Sequence, residues 1–147
     1  MTTPALSWSA IAERLAPERN YWVGTTRADG APHAAPVWGV VHDEALYVYT
    51  EVDTVKARNL HRDPRAVVHL ESGDEVLIVN GTFHEVADAD QLAVLLRAFA
   101  AKYVEPDDQQ YLPVGPPREV VLRLAPRTAL TWDLGEFDTS QQRWSAG

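Results

Sequence analysis

A chain of 147 residues is long enough for one domain with a real core, and 46% hydrophobic with 23% charged residues is ordinary for a globular protein. A formal charge of −8 gives no long-range pull toward nucleic acid or anionic lipid. The absence of cysteine excludes disulfides, thiolate metal sites, iron–sulfur clusters and thiol nucleophiles.

Residues 1–20 are polar and carry Glu13, Arg14, Glu18 and Arg19, so they do not read as a signal peptide. No apolar run approaches the length of a membrane span, and the reading is a cytoplasmic protein without a membrane partner. Trp8, Ile11, Ala12 and Leu15 recur at helical spacing over residues 7–16, with Ser7 or Ser9 to cap and Pro17 to end the helix. Residues 21–26 are rich in β-branched and aromatic side chains. The turn Ala28-Asp29-Gly30-Ala31 leads into a return strand over residues 32–41. His42-Asp43-Glu44 turns the chain again into a strand over residues 45–50.

A short helix over residues 54–61 follows, and Pro64 prevents its continuation. A helix N-terminus attracts anions through its dipole and its unpaired N–H groups, and Thr54 and Lys56 add a hydroxyl and an ammonium there. The pattern points to a bound phosphate, with a capped surface helix as the plainer alternative. Lys56, Arg58, His61, Arg62 and Arg65 concentrate positive charge in an acidic chain, which suits a small anionic ligand better than a polyanion.

Residues 66–71 and 76–86 read as strands. Leu92, Leu95, Leu96, Phe99 and Tyr103 mark a helix over residues 88–103. Residues 104–117 read as loop, and 119–124 and 128–132 as the last two strands. Residues 133–147 have weak periodicity but hold Phe137 and the pair Arg143-Trp144. Meander strands with inserted helices favour a closed or nearly closed antiparallel barrel, because closure removes exposed edges. Without alternating βα units or a Gly-x-Gly-x-x-Gly, a Rossmann-type fold is not expected. No linker divides the chain, so residues 1–147 read as one domain.

Catalytic side-chain constellations are missing. His33, His42, His61, His69 and His84 form no ligand pair, and His69 with Glu71 is too little for a metal. There is no Gly-x-Ser-x-Gly elbow, so any reaction is expected to be carried by a cofactor.

Three blocks together give a resemblance: Pro32-His33-Ala34-Ala35-Pro36-Val37-Trp38-Gly39, then Tyr47-Val48-Tyr49-Thr50, then residues 54–65 with Thr54-Val55-Lys56, Asn59-Leu60 and Asp63-Pro64-Arg65. In this order they resemble the pyridoxamine 5′-phosphate oxidase-like superfamily of split β-barrel flavoproteins. The likeness runs from Trp8 to Trp132, with Gly81 at a glycine common in the family's next strand. It implies a mainly β split barrel with helices, a homodimer, and FMN between subunits, with the deazaflavin coenzyme F-420 as the alternative cofactor. Pro36, Val37 and Trp38 would lie against the ring, with Tyr49 and Thr50 from the next strand. Thr54 and Lys56 would hold the phosphate. Trp132, Arg143 and Trp144 would come from the C-terminal segment, Arg143-Trp144 folding over the pocket mouth.

Ala35, Val40 and Val55 stand where the true oxidase carries cations, and its C-terminal Arg-x-His is missing. Oxidation of pyridoxamine phosphate itself is therefore not expected. The resemblance implies an FMN- or deazaflavin-dependent oxidoreductase acting on a small organic substrate. A flavin carrier without turnover and a cofactor-free scaffold stay open beside it. Trp22, Trp38, Trp132 and Trp144 exceed the aromatic needs of one small core, which independently suggests an isologous dimer.

Overall fold

The computed structural model describes residues 5–147. Helix α1 (Trp8–Leu15) is capped by Ser7, whose hydroxyl accepts the Ala10 N–H at 3.1 Å. Strands β1 (Tyr21–Thr26) and β2 (Pro32–Val37) form the expected hairpin, closed by the Arg27–Ala31 backbone bond. Strand β3 (Gly39–His42) turns into β4 (Ala45–Glu51) through Asp43 and Glu44, both at positive φ. Helix α2 (Val55–Arg62), strands β5 (Arg65–His69) and β6 (Glu75–Glu85), and helix α3 (Ala89–Lys102) follow. A 3₁₀ segment (Pro106–Tyr111) interrupts the expected loop before β7 (Glu119–Asp133).

The strands pair antiparallel in the order β2-β1-β5-β6-β7-β4-β3. The two end strands of this path, β2 and β3, are joined in the chain by Trp38 alone. The sheet must therefore curl until its ends meet, which makes a split barrel. The run expected as one strand over residues 32–41 is thus two, broken at Trp38, because its halves pair on opposite edges. Gly39 permits the corner: a Cβ there would stand 2.9 Å from the Tyr21 ring.

A second difference concerns β7, read from sequence as two strands. It is one, and it runs through Pro126. The β6–β7 register slips between Asn80 and Gly81, opposite Thr128 and Pro126, so Arg127 bulges out and Pro126, which has no N–H to donate, sits at the irregularity. The tail also folds back. Helix α4 (Phe137–Ser140) leads into β8 (Gln142–Ser145), which pairs with β7 over Thr128–Thr131.

Two cores result. The barrel interior holds Ile11, Leu15, Tyr21, Val23, Leu46, Leu77, Val79, Phe83 and Leu124. A second cluster of Val40, Tyr47, Leu95, Phe99, Tyr103 and Val121 lies between the sheet and α3. A polar knot ties α3 to the Trp38 corner. Lys102 Nζ donates to the Gly39 carbonyl at 2.7 Å and to the Tyr21 hydroxyl at 2.9 Å. Tyr103 accepts the Gly39 N–H at 2.9 Å and donates to the Arg19 carbonyl at 2.6 Å.

This knot sets an alkaline stability profile. Burial pushes the Lys102 ammonium down to about 8, against a smaller opposing pull from Glu18. Between there and about pH 10.4 the unfolded chain binds more protons, so this group adds stability as pH rises. Burial pushes the Tyr103 hydroxyl up to about 12 and the Tyr21 hydroxyl higher still. Above about pH 10 the unfolded tyrosines ionise first, and each then removes about 1.4 kcal/mol per pH unit. The melting temperature is expected to peak near pH 10. Lys102→Met should flatten the rise from pH 8 while leaving the fall, which a pH series of thermal melts checks.

Candidate functional site

The site begins with α2. Thr54 is extended, and its hydroxyl accepts the Ala57 N–H at 3.2 Å while donating to the Glu51 carbonyl at 2.9 Å. Thr50 Oγ1 lies 2.9 Å from the same hydroxyl. The cap thus fixes where the helix starts, and the N–H groups of Val55 and Lys56 have no carbonyl ahead of them. On the other side, the buried Asn59 donates to Thr25 Oγ1 at 3.0 Å and locks the helix to β1.

Beyond the first turn of α2 opens a hollow of about 490 Å³. That lies within the usual range for small-molecule sites, about 300–1,000 Å³. Seven residues singled out in the sequence meet here: Pro36, Val37, Trp38, Tyr49, Thr50, Thr54 and Lys56. They come from the β2 end, the Trp38 corner, the β4 end and the start of α2. The hollow joins these segments because barrel closure brings the β2–β3 corner beside β4. Among the described residues β2 is an edge strand bonded only to β1, so alternate backbone groups on its outer rim stay free for a ligand.

Lys56 is half-buried, and its ammonium has no hydrogen-bond or ion-pair partner among the described residues. Burial lowers its pKa, partly offset by Glu51. Glu51 itself is paired with Arg118 at 3.2 Å. Trp38 stands as a flat wall, stacked on Tyr103 with centroids 4.0 Å apart and planes 5° from parallel. The Tyr49 hydroxyl donates to the Tyr111 carbonyl at 2.6 Å. Burial raises its pKa well above the ordinary tyrosine value, so it remains a neutral donor.

Asn20, Glu51 and Tyr111 also line the hollow and were missed. Glu51 follows Thr50 directly, so the strand reading could have included it. Tyr111 carried no local signal, since its loop has no periodicity and is brought in by the tertiary bond to Tyr49. The residue is 60% exposed, with its ring edge-on to Trp38.

Trp132, Arg143 and Trp144 do not line the hollow. Trp144 faces the barrel side of β8 and packs on Trp8, centroids 5.2 Å apart. Trp132 meets Phe137 edge to face. Arg143 pairs opposite Leu130 and is exposed. Nor do the α2 arginines serve this hollow. Arg58 donates to the Asp53 carbonyl at 2.8 Å, and Arg62 to the Thr26 carbonyl. Arg65 grips both carboxylate oxygens of Asp63 and holds that acid down to about 2. No three histidine, aspartate or glutamate side chains among the described residues gather as a metal set.

The outer face of the sheet carries a cross-strand row that sequence reasoning gave only as surplus tryptophan. Pro36, Trp22, His69, Ile78, Leu130 and Arg143 stand opposite one another across six strands. They alternate with the buried Val23, Val68, Val79 and Ala129, so their side chains leave the core. Trp22 and His69 stack at 6.3 Å. The row is half-buried in its middle and starts at the hollow's own Pro36.

The model of the pyridoxamine 5′-phosphate oxidase family matches residues 7–133. The chain belongs to this family. The match takes in every element from the first helix to the end of β7, including the three blocks that carried the resemblance, and stops before α4 and β8. No curated protein matches the sequence. Among solved structures, the chain is similar to a conserved hypothetical protein from Mycobacterium tuberculosis, at 24% identity over 91% of each chain with a TM-score of 0.74. A heme-binding protein from Mycobacterium smegmatis is 18% identical, over 99% of this chain and 60% of that one, with a TM-score of 0.75. HutZ, the heme storage protein from Vibrio cholerae, is 18% identical over 75% and 82%, with a TM-score of 0.61. At these identities the likeness is one of fold, and it agrees with the split barrel. No helix among the described residues is long and apolar enough to cross a membrane.

Proposed function

We propose that this family member binds FMN in the hollow and acts as a homodimeric oxidoreductase on a small organic substrate, with coenzyme F-420 as the alternative cofactor. The observation that carries this reading is the unpartnered ammonium of Lys56 at the start of α2, beside the flat Trp38 ring. The donor set suits the group. Lys56 and the first N–H groups of α2 would take the phosphate, and the free rim of β2 would bond the ring edge. Pro36, Val37 and Trp38 would exclude water from one face of the ring, with Tyr49 and Thr50 beside it. When bound, such a cofactor supplies hydride transfer.

Among the described residues the hollow holds one free cation, because Arg58, Arg62 and Arg65 are engaged elsewhere. That favours, as a second reading, a flavin carrier without turnover. Heme is the competitor raised by the neighbouring structures, yet no histidine among the described residues lines the hollow. Titration with FMN, F-420 and heme, followed by absorbance and fluorescence, tests the reading. Quenching and a shifted spectrum with FMN or F-420 support it. Binding of heme alone, or of none of the three, overturns it.

The dimer is proposed from the outer row of the sheet. Trp22, Ile78 and Leu130 form an apolar stripe that a second copy would cover. Trp132 and Arg143 of the partner subunit would then approach the hollow's edge, and Trp144 would hold their end of the sheet in position. Sedimentation is expected to give a mass of two 16.3 kDa chains at micromolar concentration. Ile78→Glu, which places a charge in the stripe without touching the core, should yield the monomer. A monomeric unmodified protein would count against the dimer.

A further inference from the structure

The corner that carries Trp38 is held from behind, and nothing in the family pattern of the hollow includes the residues that hold it. Trp38 is the single residue between two strands that pair on opposite edges, so its own ladder gives it no hydrogen-bonded neighbour. Its orientation must be set by packing. Tyr103, the C-cap of α3, lies flat against it at 4.0 Å and 5°, is 1% exposed, and also bonds the next residue's N–H at 2.9 Å. Arg19 stands over both rings, 5.2 Å from Trp38 and 5.6 Å from Tyr103, and is tied by two bonds to the buried Asp108. Lys102 takes the Gly39 carbonyl, so both backbone groups of Gly39 are held by adjacent residues of the α3 end.

We propose that Tyr103 is a positioning residue that fixes the plane of Trp38 and so shapes the ring-binding wall of the hollow; its effect on ligand affinity rests on the FMN reading above. Stacked aromatic pairs at this separation hold a defined mutual orientation, which the area they bury does not by itself impose. A ring that must present one face to a ligand needs its rotamer settled beforehand, since each side chain ordered on binding weakens affinity. Tyr103 settles it twice, by its face against the indole and by its hydroxyl on the backbone that follows. Tyr103 does not line the hollow, so it acts through Trp38 and not on the ligand.

Two variants separate the contributions. Tyr103→Phe keeps the ring and drops the hydroxyl. Tyr103→Leu drops the stack. The Trp38 indole N–H resonance, assigned by Trp38→Phe, is read in the protein without ligand, and FMN affinity is read by fluorescence quenching. The unmodified protein should show one sharp resonance. Tyr103→Leu should shift and broaden it and weaken FMN binding about tenfold, with Tyr103→Phe recovering most of both. Leu77→Ala, in the barrel interior away from this corner, should lower the melting temperature while leaving the resonance and the FMN affinity unchanged. An unmoved Trp38 resonance in Tyr103→Leu overturns the proposal. So does a moved resonance with unchanged FMN affinity, or an equal effect from Leu77→Ala. Should the unmodified protein bind no FMN, the functional reading fails, and the resonance alone decides whether Tyr103 orients Trp38.

Discussion

Replacing Lys56 by alanine is expected to weaken FMN binding by about ten- to a hundredfold. A hydrogen bond to a charged group contributes roughly 1.5–3 kcal/mol, and each 1.4 kcal/mol is a tenfold change in affinity. The upper part of that range applies because no second free cation among the described residues lines the hollow to compensate. The ammonium is also half-buried and has no hydrogen-bond or ion-pair partner among the described residues, so its removal breaks no polar contact of the fold. The melting temperature without cofactor should therefore hardly move. Fluorescence titration of the variant checks the first outcome and a thermal melt the second. Unchanged affinity would mean that Lys56 is a solvated surface lysine and that the phosphate, if bound, lies elsewhere. The depressed pKa adds a pH signature, since affinity should fall as pH rises through the lowered lysine value.

The second large effect is on stability. A Cβ at Gly81 would stand 2.3 Å from the Ala125 carbonyl oxygen and 3.0 Å from Pro126 Cα. Both are backbone atoms of the long β7 strand, so no side-chain rotation relieves the clash. The contact lies at the register slip where β7 passes through Pro126, and the β6–β7 ladder spans Glu75 to Glu85. Gly81→Ala must push the two central strands apart or move the bulge. Overpacking of a well-packed site costs about 1–3 kcal/mol, and the backbone clash puts this case at the upper end. A loss near 3 kcal/mol lowers the melting temperature by roughly 10 °C for a chain of this size. Calorimetry decides it, and a shift below a few degrees would show that the slip is soft.

The helix at the phosphate-like end was legible because its signals are local. Thr54 caps through a bond to Ala57, three residues on, and Pro64 stops the chain soon after, so neighbouring residues suffice. The same holds for Ser7 and α1, for Asp88 and α3, and for the strands whose alternation exposes one face. Seven of the ten candidate contacts gather in one hollow for a similar reason: they sit at the ends of elements whose order was readable. Tertiary pairing decided what local signals leave open. Residues 32–41 carry one continuous strand pattern, but their halves bond to β1 and β4, which lie at opposite ends of the sheet order, and Trp38 becomes a corner. Pro126 reads as a breaker until a one-residue slip beside Gly81 lets β7 pass through it. Tyr111 joins the hollow only through Tyr49, and the aperiodic tail becomes β8 because β7 offers an edge and Trp8 a face for Trp144. By itself the sequence determined the capped helices, the first hairpin, the anion-attracting helix end and the family, since these rest on contacts within a few residues or on their order. Which residues face one another across the barrel was left to tertiary structure, because strand register depends on closing loops of many residues around one shared core.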